Sequence, residues 1–296
     1  MSIKKSVSPV CTFFDDRPIS ESSKKLYISK LKKLNGSVPT TLDFLKDTKP
    51  IDAKLEAMGL NTRRSAVIAI VSALKGKEPE LHAHYTALMD KLNKEEREAT
   101  KDTKSEKQQA NWMSLEELEK LRQEKGVIVK KVSKKKEITD GQFRELQAYT
   151  LLSLYTVLPP RRSLDYVAMV IGEPADNKEV NYYHNGHFYF NNFKTAKVYK
   201  QQIVAVPKPL QDILKVYSKF KPKNSDRLLV NAEGQPLTTK SVVTILNSIP
   251  GKHISTSMIR NIYATGVAKP LIDKLEGLAE KMGTSLNMLQ STYSKN

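Results

Sequence analysis

The sequence predicts an α+β chain: mainly α-helical, with one small antiparallel β-meander set inside the second of two helical domains. Three observations carry this. Long stretches repeat apolar residues at three- and four-residue spacing, the period of a helix with one buried face. One segment changes period: "EVNYYHNGHFYFNNFKTAKVYKQQIVAVP" (179–207) is rich in aromatic and β-branched residues, with Asn185-Gly186 as a primed hairpin turn. A charge-rich run, "KEEREATKDTKSEKQQA" (94–110), separates two helical regions as a solvated linker does.

Residues 1–16 read as a tail. "SESSKKLYISKLKKLN" (20–35) places Leu26, Leu31 and Leu34 near helical spacing, with lysines around the rest of the cylinder. "TTLDFLKD" (40–47) predicts a short helix behind a threonine cap. "NTRRSAVIAIVSALKG" (61–76) predicts a longer one, capped by Asn61 or Thr62 and ended at Gly76. "ELHAHYTALMDKLNKEEREATKD" (80–102) adds another. Residues 17–95 thus form a small basic helical domain, and 96–112 its linker to a second domain, 113–296.

That second domain opens at "NWMSLEELEKLRQEKG" (111–126), where Ser114 precedes Glu116 and Glu117 at a helix start. "KVSKKK" (131–136) is a solvated turn. "TDGQFRELQAYTLLSLYTVL" (139–158) is apolar enough on most faces to be a core helix, and it ends at Pro159. Three antiparallel strands follow at about 180–184, 187–193 and 201–206, with "KTAKVYK" (194–200) as the second turn. Helices at 208–219, 238–248, 255–268 and 270–281 and a last segment containing Tyr293 complete the chain. No internal repeat is visible.

Charge narrows the function. Among 296 residues, 49 Lys and Arg face 32 Asp and Glu, a formal net charge of +17. Such a balance points to a polyanionic partner, nucleic acid first. No apolar run long enough for a bilayer and no basic amphipathic anchor is present, so no membrane partner is expected. The N-terminus lacks the apolar region of a signal peptide, and the single Cys11 excludes an internal disulfide framework. Both suit a reducing compartment, cytoplasm or nucleus. Neither zinc-type Cys/His spacing nor a glycine-rich phosphate loop occurs, so no metal or cofactor is expected.

The chemistry lies in polar residues set among apolar ones. "LPPRRSLDYVAMV" (158–170) breaks a core helix with two prolines and follows them with two arginines. Lys194 lies in the turn between strands. Arg260 sits in "STSMIRNIYATG" (255–266), whose apolar positions predict a mostly buried helix, and Tyr293 lies three residues from the C-terminus. Taken singly these have ordinary readings: a surface ion pair, a solvated lysine, a packing tyrosine. As a set they predict convergence on a multivalent oxyanion. A phosphate fits best, since a guanidinium matches its geometry bidentately and a nearby tyrosine can attack it.

The order Arg, hairpin Lys, Arg, late Tyr resembles the tyrosine recombinases, or phage-integrase family. "RRSLD" is similar to the family's Arg-x-x-Glu/Asp and selects Arg162 with Asp165. "NNFKTAKVYKQQIVAVP" resembles its hairpin lysine turn and selects Lys194. "SMIRNIYATG" resembles His-x-x-Arg-His-x-x-Ala-Thr and selects Arg260. "MGTSLNMLQSTY" resembles Leu-Gly-His followed at ungapped spacing by Tyr, and selects Tyr293. The "PPRR", "KT" and terminal "YSK" flavour is most like integrases of large DNA viruses, virophages and related mobile elements. The resemblance covers residues 113–296; the N-terminal bundle is similar only in kind to the family's core-binding domain. The chain departs from the pattern at three places. Ser257 stands where the family has a histidine, with His253 one helical turn earlier; Thr284 stands at the second His/Trp position; Asn261 replaces a further histidine.

The resemblance implies a site-specific recombinase or integrase on a tyrosine-recombinase catalytic domain. Such an enzyme cleaves and rejoins double-stranded DNA through a covalent 3′-phosphotyrosyl intermediate, without metal, as a tetramer on paired sites. For a viral or mobile element it implies genome integration in the host nucleus. Lys24, Lys25, Arg63 and Arg64 of the first domain and Lys197 of the hairpin turn are then expected to hold DNA phosphates. Two alternatives share these residues: a non-catalytic duplex-binding relative, and strand cleavage of the type IB topoisomerase kind.

Overall fold

The computed structural model describes residues 12–15, 17–100, 104–174, 179–249 and 252–293. The chain divides into two compact units, residues 1–105 and 106–296. The described helices outnumber strands by far, and the strands form one small sheet in the second unit.

In the first unit the Ser20 hydroxyl accepts the Ser23 amide and opens α1, Glu21–Asn35, which ends at Gly36 with φ 90°. Such a left-handed cap needs a residue without Cβ. Leu31 and Leu34 are buried as expected, but Leu26 faces solvent. The short helix expected near 40–47 is a single 3-10 turn, Asp43–Leu45, that buries Leu45. α2, Thr48–Glu56, has no counterpart in the sequence prediction. Its Pro50 sits in the first turn, where a missing amide costs nothing. α3, Leu60–Leu74, is preceded by Gly59, so Asn61 and Thr62 lie inside its first turn and do not cap it. Buried Ala66, Ala69 and Ala73 leave room for α4, Pro79–Thr100, to pack against α3 and bury Tyr85 and Leu92.

Two expectations for this unit change. α4 runs on through residues 96–100, and Glu106–Asn111 forms α5, so much of the expected linker is helical. Charged residues such as Glu, Lys and Arg are good helix formers, and a packed helix extends through them without a new nucleus. The expected tail is not all tail. Phe13 and Phe14 are buried in the core, with Phe14 5.6 Å from the Tyr27 ring; Cys11 lies outside the described residues. Some basic charge is also structural here. Arg17 donates to the Ser72 carbonyl at 2.6 Å and Lys54 to the Leu34 carbonyl at 2.7 Å, meeting orphan carbonyls at the ends of α3 and α1.

The second unit is built around α8, Asp140–Thr156, started by a capping box between Thr139 and Gln142. Around it pack α6 (Leu115–Lys125, capped by Ser114 and Glu117), α7 (Val127–Val132), α11 (Lys208–Phe220) and α12 (Thr239–Ser248). α8 is buried on nearly every face. Its Thr150, Ser153 and Thr156 hydroxyls each donate 2.8 Å bonds to carbonyls one turn back, so the polar atoms are satisfied. Gln147 reaches the Val230 carbonyl and Tyr217 brackets the same residue, joining α8 and α11 to the segment 228–230.

The sheet has four strands in the order β1 (Val170–Ile171), β2 (Tyr182–His184), β3 (His187–Phe190), β4 (Gln202–Ala205). β2–β3–β4 are antiparallel, but β1 pairs parallel to β2, so the sheet is mixed and not the purely antiparallel meander expected. A two-residue strand within the apolar run "VAMVIG" shows no alternation that a sequence reading could use. Asn185 (φ 46°) and Gly186 (φ 72°) form the hairpin turn between β2 and β3. Between β3 and β4 the expected open turn contains a short helical element, α10 (Ala196–Tyr199).

α9 (Ser163–Val167) follows the double proline after α8. α13 (Thr256–Tyr263) runs through a π-turn, Ala264–Ala268, into α14 (Lys269–Lys281). Gly266 lets this turn meet the start of α6, for a Cβ there would stand 3.2 Å from that of Leu115. α14 buries only Ala279 and leaves Leu271, Leu275 and Leu278 exposed. α15 (Leu286–Met288) and a second π-turn, Leu289–Tyr293, follow. No helix among the described residues is long and apolar enough to cross a membrane, and none of their acidic, histidine or cysteine side chains cluster as a metal site.

Candidate functional site

The break at Pro159-Pro160 decides where two adjacent arginines go. Proline cannot continue α8, and the chain leaves it extended; Arg162, at φ −71° and ψ 148°, stands as the residue before α9. Extended backbone sends neighbouring side chains opposite ways. Arg161 turns inward. Its Nε donates to Asp165 Oδ2 at 2.9 Å, its Nη1 to Gln202 Oε1 at 2.8 Å, and its guanidinium lies 3.7 Å from the Phe190 ring centre and 5.1 Å from that of Phe193. Arg162 makes no hydrogen bond or ion pair among the described residues. The motif-based pairing of Arg162 with Asp165 is therefore corrected: Arg161 holds Asp165.

Arg162 and Arg260 line one cleft of about 400 Å³, together with Pro159, Pro160, Phe193, Thr195 and Tyr199. Arg260 comes from α13, started by the Ser255 hydroxyl on the Met258 amide, with Met258, Ile259 and Ile262 buried beneath it. Like Arg162 it has no hydrogen bond or ion pair among the described residues. The two helices are joined by one bond, Ser163 Oγ to Thr256 Oγ1 at 2.8 Å. Asp165 lies beneath. Burial pushes its carboxyl above the usual value, while the guanidinium of Arg161, then those of Arg162 and Arg260, pull it back.

Asn181 is the other brace of this site. Its Nδ2 donates to the Asp165 and Asn192 carbonyls at 2.9 Å, and its Oδ1 accepts the Asn191 and Asn192 amides at 2.8 Å. One buried side chain thus links α9 to the loop that carries Phe193, Lys194 and Thr195. Sequence reasoning missed Asn181, Gln202, Ser163, Thr256 and Tyr199. Only Gln202, a polar residue within an apolar strand, carried a signal that could have found it.

The remaining expected residues are less gathered. Lys194 is exposed in its turn, beside Thr195, and its side chain is not part of the cleft lining. Ser257 is exposed in the first turn of α13, and Thr284 donates its amide to the Ala279 carbonyl away from the lining. His253 is exposed, its amide tied to Asn111 Oδ1 at 2.8 Å. The Tyr293 backbone ends the last π-turn, and its side chain lies outside the described residues.

Of the expected phosphate contacts, Lys25 and Lys197 are exposed. Lys24 meets Glu21 at 3.1 Å and Arg63 meets Glu56 at 4.0 Å, pairs weak enough to exchange for a phosphate. Arg64 is more committed to its own unit, with Nε on Asn93 at 2.7 Å and Nη1 4.0 Å from Glu96.

Compared with protein-family models and with curated proteins, the sequence matches none.

Proposed function

We propose that the protein is a DNA strand-transfer enzyme, a site-specific recombinase or integrase that cuts and rejoins duplex DNA through a tyrosine. The observation that carries this is the cleft: two guanidinium groups, Arg162 and Arg260, arrive from separate helices and face it without partners of their own. Built cations without carboxylates call for an anion from outside. A phosphodiester presents two non-bridging oxygens for two such forks. The net charge of +17 fits a partner that carries one phosphate after another.

In this reading Arg162 and Arg260 hold the non-bridging oxygens of the scissile phosphate. They stabilise the charge that builds as the phosphorus becomes pentacoordinate. The Tyr293 oxygen attacks phosphorus, the bond to the 5′ oxygen breaks, and a 3′-phosphotyrosyl linkage forms; attack by a 5′ hydroxyl reverses the step. Lys194 is the candidate proton donor to the leaving oxygen, by the resemblance of its turn. A tetramer on paired sites is the working unit that the same resemblance implies. One observation favours a duplex-binding protein without catalysis: the cleft lining contains no histidine.

The test is incubation with supercoiled and linear duplex DNA, followed by denaturing electrophoresis. A covalent protein–DNA adduct that disappears in Tyr293→Phe, while duplex binding persists, is the expected result. An adduct that survives in Tyr293→Phe overturns the assignment of the nucleophile. Tyr217 is then no alternative, being fully buried and bonded to Val230, whereas Tyr199 lines the cleft. Joined products separate recombination from simple relaxation, and no adduct under any condition leaves the binding reading.

A further inference from the structure

The segment between β3 and β4 has a composition that neither the arginine cleft nor the lysine motif uses. Val198 is 73% exposed and Tyr199 63% exposed, adjacent at the end of α10. Large apolar side chains this open, side by side on four helical residues, cannot be there for the core. They stand between Lys194, Lys197 and Lys200, all exposed and without hydrogen bond or ion pair among the described residues.

The segment is also held firmly. The Val198 and Tyr199 amides donate to the Thr195 carbonyl at 3.0 and 3.1 Å, the Lys200 amide to Ala196 at 2.9 Å, and Gln201 Nε2 to Asn191 Oδ1 at 2.6 Å. Lys200 adopts φ 57° and ψ −157°, a conformation almost reserved for glycine. A strained non-glycine residue next to two exposed apolar ones is a feature that folding alone does not call for. Tyr199 also lines the cleft that holds Arg162 and Arg260.

We propose that Val198 and Tyr199 form an apolar wedge that enters the base stack of duplex DNA beside the phosphate held by Arg162 and Arg260. The inference rests on the DNA reading above and adds residues and a role to it. The lysines supply the charge complementarity that selects a polyanion over an apolar protein surface. Phosphates on either side would meet Lys194, Lys197 and Lys200, and the step between them would receive the valine and the tyrosine ring. Inserted apolar side chains partly unstack a base step and kink the duplex. At a scissile phosphate that distortion would free the backbone for in-line attack.

The experiment needs no knowledge of the target sequence. Binding of the full chain is measured by fluorescence anisotropy to a duplex of roughly 20 base pairs, long enough for several phosphate contacts. The same duplex with one central abasic residue, a step already unstacked, is measured beside it. The wild-type protein should bind the abasic duplex about tenfold more tightly, because the unstacking cost is removed. Tyr199→Phe, which keeps the ring and loses the hydroxyl, should retain the preference. Val198→Ser/Tyr199→Ser should lose it while binding the intact duplex at near wild-type affinity; both positions are exposed, so the fold is not at stake. Equal wild-type affinity for the two duplexes, or a preference that survives in the double serine variant, overturns the wedge. Failure of the wild-type protein to bind either duplex overturns the DNA reading itself.

Discussion

Ser163 and Thr256 share a 2.8 Å hydrogen bond between hydroxyls, and it joins the helix that follows Arg162 to the helix that carries Arg260. The bond spans 93 positions of sequence. Ser163→Ala and Thr256→Val should each lower stability by about 1 kcal/mol, and the double variant by little more than either single one. Urea unfolding of the four proteins measures the coupling. Additive losses would mean that the hydroxyls do not act together. In cleavage assays both single variants should slow strand breakage more than they weaken DNA binding, because the spacing of the two guanidiniums is what changes.

Arg161 and Arg162 should fail in different ways. Arg161→Ala leaves the Asp165 carboxylate buried without its ion pair and removes the cation over Phe190, a loss of about 3–5 kcal/mol of stability. Arg162→Ala should leave the unfolding midpoint near wild type and reduce single-turnover cleavage by about 10²–10³. Arg162→Lys keeps charge but not the planar fork and should remain clearly impaired. A stable, inactive Arg161→Ala beside an active Arg162→Ala would reverse the roles assigned here.

Much of this site was readable in advance, but for reasons that differ by residue. The helix ends at Ser20, Ser114 and Thr139 were legible because capping is local chemistry written over four residues. The cleft arginines were legible because charge among apolar residues is conspicuous. Which of the two adjacent arginines pairs with Asp165 was not, since that depends on Phe190, Phe193 and Gln202, brought up by a sheet formed later in the chain. Asn181 gave no signal for the same reason: its four bonds run to residues up to 16 positions away in both directions. The parallel strand β1 was too short to carry a period. The charged stretch after Asn93 was taken for linker because polarity alone does not distinguish a solvated helix from a coil.

Asp165 should make the second unit's stability depend on pH in an unusual direction for a carboxylate. Its pKa is raised in the fold, chiefly by burial, so the folded chain holds the proton more tightly than the unfolded one. That contribution is full below the ordinary carboxylate value and is lost as pH rises through the raised one. Relative to Asp165→Asn, which keeps an oxygen for Arg161, the wild-type protein should therefore lose stability as pH rises. Unfolding midpoints of both proteins between about pH 3.5 and 7 test this. A difference that grows in favour of wild type with rising pH would contradict the direction.

Lys200→Gly should stabilise the fold and weaken the function. Glycine adopts the φ 57°, ψ −157° conformation without strain, a relief of about 1–3 kcal/mol. The same change removes one cation from the exposed turn, so duplex binding should weaken and its salt dependence should become shallower by about one phosphate contact. Thermal unfolding and a salt titration of DNA affinity read the two effects separately. A destabilised variant would show that the lysine side chain anchors the turn.

The π-turn at Ala264–Ala268 carries one more residue than an α-helical turn would. Loss of a single codon there would let α13 and α14 merge into one regular helix. Everything downstream would then rotate by about 100° about the helix axis and draw back by about 1.5 Å. The reading frame and the composition of the C-terminal arm would be intact, yet Thr284 and Tyr293 would be delivered to a different side of the molecule. For this chain an in-frame deletion of one residue in that turn is a more drastic genetic event than most substitutions within the arm it re-aims.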